Sequence, residues 1–505
     1  DKSHTRKLTA YMAADFDLTP TTTIGASLSY QDTKANTPMS GQPAFGRLEN
    51  GQPHPKTEQF LNFPRNFQHL PSWNLFTETT VEYAGEVQQR IGAWSLVVRA
   101  LRRDIPRAWE DAFVRPGTGV DPVTLTAEYV NRRSRGENGK TAVDAYATGP
   151  FTLFGREHEL AVGYSFDKRT TSFLNRGQAS VQFGSGACEC RYSIYNADAI
   201  PLPPTAFTGG NETDLRQSGF HAQLRLRPIE PLTIVLGGRI SDYTNRSRTI
   251  APTPNPTPWA ITKSSRVRGK LTPSIGAVLH LADNVTLYGS YSDIFNPQTQ
   301  TRADGTPLDP RIGEQYEAGL KGRFLDGKLN ASAAAFRSKD KNRALSDGNG
   351  FFVQAGLVRI EGFEFEVTGT PIPGLDLTAS YTNVKTEHEV GSAALTGAVF
   401  DLNTPRHQYK FYARYEPDAL GGAFVSASLN GQSGVVAGGM AGVREQDAFA
   451  VVGAQLGWRF NDNLRAFVSV SNLLDKVYYQ RVGSINTYNF YGEPRNVLLT
   501  LRASY

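Results

Sequence analysis

The stretch VTLYGSYSDIF at residues 285–295 alternates apolar and polar side chains along its length. In an extended chain, Leu287 and Tyr291 fall on one face and Thr286 falls on the other, because successive side chains of a strand point to opposite sides. Each such stretch therefore predicts a strand with one apolar face and one polar face. The same two-residue period recurs in residues 220–227, 375–382 and 497–505.

The lengths of these strands and the connections between them distinguish a membrane barrel from a soluble sandwich. Many of the alternating segments exceed about 10 residues, whereas globular strands average about five or six. Short turns and long polar loops follow one another, which is typical of a transmembrane antiparallel β-barrel of the outer membrane. The predicted short turns are at 18–21, 84–86, 228–231, 282–284, 325–327, 371–374, 416–421 and 461–463. The predicted long loops are 33–71, 105–121, 171–215, 246–263, 296–312, 388–404, 436–445 and 477–491.

Composition agrees with an all-β barrel and argues against other classes. The 505 residues are 39% hydrophobic, and no apolar run reaches the roughly 18 residues of a membrane helix. Aromatic residues make up 11%, as the interfacial girdles of a barrel require. The formal net charge of +5 is spread along the chain without a basic run, which argues against a nucleic-acid partner.

The number of strands is informative about the rest of the barrel. Counting alternating segments gives about nineteen strands, and the first, at residues 7–17, ends in a short turn. Barrels of this kind begin with a strand that runs the other way and have an even number of strands. We therefore expect about three strands upstream, for the roughly 22 of the outer-membrane transporters. The whole of 1–505 is expected to be barrel, with no plug domain in the chain.

Several stretches resemble the TonB-dependent siderophore receptors, particularly the branch of ferric-coprogen and ferric-pyoverdine receptors. Within the second stretch below, Gly313, Tyr316, Glu317, Gly319 and Lys321 match the family hairpin position by position. The similarity spans nearly the whole chain. The matching stretches are LYGSYSDIFNPQ (287–298), LDPRIGEQYEAGLKGRFLDGKLNASAAAFR (308–337), IEGFEFEVTGTPIPGLDLTASYT (360–382), SNLLDKVYYQ (471–480), YGEPRNVLLTLRASY (491–505) and GPFTLFGREHELAVGYSFD (149–167).

The resemblance implies an outer-membrane receptor and transporter for a ferric siderophore, and not an enzyme. It implies energy from the TonB–ExbB–ExbD complex through an N-terminal region that this chain lacks. It also implies recognition of the last strand, ending in Tyr505, by the barrel-assembly machinery. No cofactor is expected, iron being present only within the substrate, and a monomer in outer-membrane lipid is expected. Alternatives are a receptor for haem, cobalamin or an oligosaccharide, with His54 and His69 as loop histidines, or a passive porin.

Ligand binding is expected on aromatic and arginine side chains of the long loops, because aromatics supply contact area and arginines supply donors to chelating oxygens. Trp109 and Trp259 are the first choices, since each stands in a polar, proline-containing segment. Packing within the loops is the alternative for each residue. The other candidates are Arg103, Arg107, Phe45, Arg47, Tyr192, Tyr195, Tyr488, Phe490 and Tyr491. Cys188 and Cys190 are either a local disulfide, free thiols or partners of absent cysteines, and neither a catalytic group nor a metal site is predicted.

Overall fold

The computed structural model describes residues 4–36, 41–175, 191–251, 255–260, 266–298, 300, 302–304, 308–346, 352–439 and 442–504. Almost everything within these ranges is strand, turn or loop, apart from 3-10 turns at Ala197–Ala199 and Asp418–Leu420. No helix in the described parts of the chain has the length and apolar character needed to cross a bilayer. The predictions made for Cys188, Cys190 and Tyr505 lie outside the described residues.

One antiparallel sheet contains nearly all the strands. It has 20 strands, of which β7 is a short addition to the edge of β5, so 19 long strands form the wall. The wall strands are β1 (Thr5–Thr19), β2 (Thr22–Ala35), β3 (Leu75–Ile91), β4 (Trp94–Val114), β5 (Thr126–Leu153), β6 (Arg156–Asn175), β8 (Gly209–Ile229), β9 (Leu232–Ala251), β10 (Arg266–Ala282), β11 (Val285–Asn296), β12 (Arg311–Phe324), β13 (Leu329–Ser346), β14 (Phe352–Ile372), β15 (Leu375–Val390), β16 (His407–Tyr415), β17 (Ala423–Gln432), β20 (Phe449–Arg459), β21 (Leu464–Ser471) and β24 (Asn496–Ala503). The short strands are β7 (Arg191–Ser193), β18 (Val435–Gly439), β19 (Gly442–Gln446), β22 (Tyr479–Arg481) and β23 (Phe490–Tyr491).

Each wall strand pairs with the next one along the chain, from β1 to β24, as in an up-and-down barrel. The count of about nineteen strands is therefore confirmed. Among the described residues, no backbone pairing joins β1 to β24. β18 pairs with β19, and β22 pairs with β23, within two of the long connections.

The strand register separates the two faces of the wall. A row that starts at Thr286 on β11 is polar on seven adjacent strands, and the next row, which starts at Leu287, is apolar on six. The polar face is the lumen side and the apolar face is the outward side, as the alternation predicts. The polar row is Thr286, Lys321, Ser332, Glu366, Ser380, Lys410 and Asn430. The apolar row is Leu287, Leu320, Ala333, Phe365, Tyr381 and Tyr409.

One predicted turn is wrong. Residues 84–86 lie in the middle of β3, where Gly85 pairs with Ala26 of β2, and the turn comes later, between Ile91 and Trp94. The sequence Ala-Gly-Glu resembles a turn because glycine favours turns, but a single glycine inside a long strand is tolerated. The predicted number of strands is unaffected, because this error moved one turn along the chain and did not add a turn.

Candidate functional site

The described parts of the long connections after β2, β4, β6, β17 and β21 pack against one another, and we call them together the loop assembly. Its larger apolar core includes Phe45, which is 7% exposed, and Tyr192 packs against that core. These two candidates therefore lie in a packed loop interior. The buried members of this core are Phe45, Leu61, Leu70, Ala112, Val114, Val120, Ala127, Tyr129, Ile194, Ala197 and Ile200.

A second, smaller core joins the connection after β2 to those after β17 and β21. The Tyr479 ring stacks between Phe60, with ring centroids 4.0 Å apart, and Tyr491, at 4.4 Å. The Tyr491 hydroxyl also donates to the backbone carbonyl of Phe63 at 3.0 Å. Burial raises the pKa of Tyr479, which keeps its hydroxyl protonated. Tyr491, proposed for ligand binding, thus has a structural contact at its polar end.

A buried ion pair crosses the same junction. The Arg444 side chain is completely buried and binds the carboxylate of Glu58, which is 386 residues away in sequence. Arg444 also donates to the backbone carbonyl of Gly483 at 2.9 and 3.3 Å, so one guanidinium holds three connections together. Burial lowers the pKa of Arg444, while the Glu58 carboxylate opposes that shift.

The two histidines considered as haem ligands have structural partners. His69 is 1% exposed, and its Nε2 lies 3.0 Å from the Gly41 carbonyl. Desolvation lowers the pKa of His69 to about 4, and burial raises the pKa of neighbouring Tyr129, whose hydroxyl donates to the His69 carbonyl. The His54 ring accepts the Lys56 amide at 3.1 Å. These contacts do not favour a haem-binding role.

The remaining loop candidates are more exposed. Tyr195 is 62% exposed and lies edge-on to Phe67, with ring centroids 5.6 Å apart. Tyr488 is 47% exposed under the Arg481 guanidinium, and Arg47 is exposed with a hydrogen bond to Gly51. Phe490 lies in β23 and is partly buried.

Trp109, Arg103 and Arg107 were predicted in a loop, and this placement is wrong. All three lie in β4, which continues to Val114. At about 3.3 Å per residue and a tilt near 40°, Trp109 stands roughly 35–40 Å from the short turn, beyond an apolar band about 25 Å tall. The loop prediction failed because β4 remains paired beyond the lipid. There neither face of the strand has to be apolar, so the alternating pattern that indicates a strand is lost.

The three β4 residues are on the lumen side. They share odd-numbered positions with Arg99, whose partner Glu86 is on the polar face, whereas Leu96 and Val98 on the other face are exposed and apolar. Arg103 pairs with Glu82 on the same lumen side.

Around Trp109, cationic and aromatic side chains form what we call the upper lumen cluster: Arg107, Trp109, Arg132 and Phe173. The Trp109 ring lies 5.4 Å from Phe173, and the guanidinium carbons of Arg107 and Arg132 lie 5.3 and 5.7 Å from its centroid. A bidentate pair between Arg132 and Asp111, at 2.9 and 2.6 Å, fixes this geometry. The sequence analysis missed Arg132 and Phe173, because contacts across strands need the register.

Several polar atoms in this cluster and beside it lack a protein partner. Within the described part of the chain, Trp109 Nε1, Arg107 Nε and Ser134 Oγ are buried without a hydrogen bond. Such atoms are uncommon in folded proteins and indicate a ligand or water. The opposite face of the same hairpin carries Ala112 and Val114, which are buried in the larger loop core. The loop assembly therefore braces the hairpin from the side away from the lumen.

Trp259 has a different environment. It lies beside Arg248, with Arg246 and Arg248 guanidinium carbons 4.6 and 4.5 Å from its ring centroid. Both arginines occupy even-numbered positions of β9, on the same face as exposed Ile240. Trp259 thus lies on the outward side of the wall, whereas Trp109 lies on the lumen side.

A family model described as TonB dependent receptor-like, beta-barrel matches residues 6–473. The chain belongs to this family of TonB-dependent receptors. It is 30% identical to the ferric-pyoverdine M114 receptor PbuA of Pseudomonas sp. strain M114, over 98% of this chain and 60% of the relative. It is 28% identical to the ferripyoverdine receptor of Pseudomonas aeruginosa, with the same two shares. The chain therefore spans about 60% of the length of these curated relatives.

Solved structures of siderophore receptors have the same fold. The ferripyoverdine receptor of the Pseudomonas aeruginosa outer membrane, bound to ferripyoverdine, superposes with a TM-score of 0.85 and 24% identity, covering 100% of this chain and 65% of that one. The ferric-catecholate receptor Fiu of E. coli gives a TM-score of 0.81 and 17% identity, covering 100% and 75%.

Family membership gives the orientation. The wall is an outer-membrane β-barrel, and the family comprises transport receptors and not enzymes. In such barrels the short turns face the periplasm and the long loops face the extracellular side. The upper lumen cluster is therefore on the extracellular side of the lumen.

Proposed function

We propose that this chain is the barrel of an outer-membrane receptor that binds a ferric siderophore and imports it with energy from the TonB complex. The observation that carries the proposal is the upper lumen cluster, with its aromatic rings, two arginines and unpartnered donors on the extracellular side of the lumen. The relatives named as ferric-pyoverdine receptors support the ligand class. Iron enters as part of the substrate, and no resident cofactor is proposed.

The chemistry of a ferric siderophore matches the cluster. The chelate is bulky, has flat and partly apolar faces, and presents oxygen atoms around the iron. The Trp109 and Phe173 rings offer apolar contact area, while Arg107 Nε and Trp109 Nε1 are donors without a protein acceptor. Arg132 is held by Asp111 through Nε and Nη2, and the proposal gives its Nη1 donors to the chelating oxygens. Among the candidate residues, the proposal therefore places Trp109 and Arg107 at the ligand.

Trp109→Ala tests the site in the whole protein that contains this chain. Equilibrium binding of ferric pyoverdine to the purified receptor should weaken by about thirtyfold, because a central aromatic anchor commonly contributes about 2 kcal/mol or more. Trp259→Ala is the matched control, since the same side chain is removed from the outward face. It should bind within about threefold of wild type. Heat-modifiable gel mobility checks that both variants fold.

Three results would contradict the proposal. Equal affinities of the Trp109 variant and wild type would remove the upper lumen cluster from recognition, and attention would move to Tyr195 or Tyr488. Growth of a deletion strain on a panel of ferric siderophores and haem, with the gene restored as control, tests the ligand class. Growth promotion by haem alone, or uptake that persists without TonB, would overturn the function proposed here.

A further inference from the structure

The outward side of β6, β8, β9 and β10 carries a group of charged residues that the proposed function does not use. We call it the outer basic face. It contains six cations and three carboxylates, a formal surplus of three positive charges. Its cations are Lys168, Arg216, Arg246, Arg248, Arg266 and Arg268, and its carboxylates are Glu212, Asp214 and Asp242.

The strand register fixes the height of this face on the wall. Tyr164, Phe220, Ile240 and Leu271 form one row across the four strands, and three of them are more than half exposed. Tyr164 and Phe220 are in ring contact, with centroids 4.9 Å apart, as in an interfacial aromatic girdle. Four residues closer to the extracellular end of β6, β8 and β9, the same face carries a second row of paired residues. This row is Lys168, Arg216, Thr244 and Arg266.

This geometry puts the cations at the level of the outer-leaflet head groups. Arg216 is 13 residues beyond Ile229 at the periplasmic end of β8. At about 3.3 Å per residue and a tilt near 40°, this is roughly 30 Å, just past an apolar band about 25 Å tall. The side chains point away from the lumen, so a substrate inside the barrel does not reach them.

The cations are held in place but still have free hydrogen-bonding capacity. The Asp214 side chain is only 4% exposed and accepts Lys168, Arg216 and Arg246 at 3.4, 2.7 and 3.2 Å. Arg216 nevertheless remains 46% exposed, and a guanidinium has five donors. Arg246 and Arg248 are further fixed by the Trp259 ring.

Arg266 and Arg268 are exposed, and no acidic side chain in the described part of the chain pairs with either. Two unpaired arginines next to a preorganised cationic row favour a ligand with several negative charges and oxygen acceptors. Phosphate esters satisfy both conditions, since arginine binds them through paired N–H donors.

We propose that the outer basic face binds the phosphorylated sugar head group of a glycolipid in the outer leaflet, with its acyl chains against the apolar row below. The Tyr164, Phe220, Ile240 and Leu271 side chains, together with Leu224 and Leu236, line one outward hollow that suits an acyl chain. The head group then meets Lys168, Arg216 and Arg266, and its second phosphate meets Arg268. This site is distinct from the lumen and is independent of the siderophore.

The test uses the full-length receptor in detergent, with purified diphosphorylated lipid A as the probe and native mass spectrometry to count bound lipid. The variant Arg266→Gln with Arg268→Gln removes the two unpaired arginines without breaking an ion pair. Binding should weaken by about tenfold or more and should weaken further with salt, because each basic residue near an anionic lipid contributes on the order of a few-fold. Monophosphorylated lipid A should bind the wild-type receptor less tightly than the diphosphorylated form.

The matched control is Arg323→Gln with Arg502→Gln, which removes the same charge at the periplasmic end, where both arginines are exposed. This control should bind lipid A as wild type does. Equal binding by the Arg266/Arg268 variant and the control would overturn the proposal. So would equal affinity for phosphatidylglycerol, which would indicate a general attraction to anionic lipid, or displacement of lipid A by millimolar inorganic phosphate, which would indicate a small-anion site.

Discussion

Replacing Arg444 with methionine should loosen the loop assembly and leave the barrel wall intact. Arg444 is completely buried and binds both the Glu58 carboxylate and the Gly483 carbonyl. Methionine retains much of the apolar volume but removes the charge, so Glu58 becomes a buried carboxylate without its partner. Breaking a buried pair on one side typically costs about 3–5 kcal/mol, compared with about 0–1 kcal/mol for an exposed pair.

The expected signal is large. Each 1.4 kcal/mol corresponds to about a tenfold change, so local opening should become roughly 100-fold to several thousandfold more frequent. The amide of Glu58 donates to Phe45 at 2.7 Å, and the amide of Ala44 donates to Ile485 at 2.7 Å. Hydrogen exchange at these amides measures the opening of the junction directly, because both hydrogen bonds lie within the loop assembly.

Arg459→Met is the control. Arg459 pairs with Glu416 at 2.9 Å at the periplasmic end, but its side chain is 42% exposed, so exchange in the loop assembly should not change. The double variant Glu58→Leu with Arg444→Met removes both charges and should regain most of the protection. Wild-type exchange rates in the single Arg444 variant would refute the reasoning, since the pair would then contribute no more than an exposed one.

Two further predictions concern individual residues. Burial lowers the pKa of His69 to about 4, whereas a histidine in the unfolded chain has its ordinary pKa of 6.5. The neutral imidazole therefore stabilises the folded state, and this stabilisation is complete above pH 6.5. It amounts to up to about 3 kcal/mol and is lost as the pH falls from 6.5 toward 4. Hydrogen exchange near residue 69, corrected for its intrinsic pH dependence, should show this loss of protection in the wild type. In His69→Gln, protection should vary little with pH. Protection in the wild type that does not change between pH 6.5 and 4 would contradict the burial argument. Gly422→Ala should lower the yield of heat-modifiable folded barrel, because φ is +101° and the new Cβ would lie 2.3 Å from the Arg459 carbonyl oxygen. Gly421→Ala, with φ +57° and open space around it, should cost only about 1 kcal/mol, so equal yields from the two variants would remove the steric explanation.

The wall of the barrel could be predicted from the sequence because the membrane imposes a local rule. Where one face of a strand meets lipid, polar and apolar side chains must alternate. The faces of Thr286 and Leu287 can therefore be assigned from their own strand, without knowledge of the neighbouring strands. The rule ends beyond the lipid. Trp109 and Arg107 lie on a strand that continues into water, where both faces carry polar residues, and the segment therefore resembled a loop.

The site was harder to predict than the wall because its contacts are not local. Arg132 reaches Trp109 only through the pairing of β4 with β5, and no spacing within either strand shows it. The different positions of Trp109 and Trp259 likewise depend on register, since both stand in polar, proline-containing sequence. Composition and proline content identified aromatic residues outside the lipid band, but could not tell the two sides of the wall apart.

The long-range contacts of the loop assembly set an order on folding. The Asn489 side chain donates to the Gln42 carbonyl at 2.8 Å, and the Asn486 side chain donates to the Val114 carbonyl at 3.0 Å, so these contacts span about 370 to 450 residues. They cannot form until the last hairpin of the chain is made, because loop closure over such distances must await both ends. Protection of the amides around Gln42 therefore reports that the last hairpin of the chain has formed. Until that hairpin is in place, the first long connection remains open to proteases.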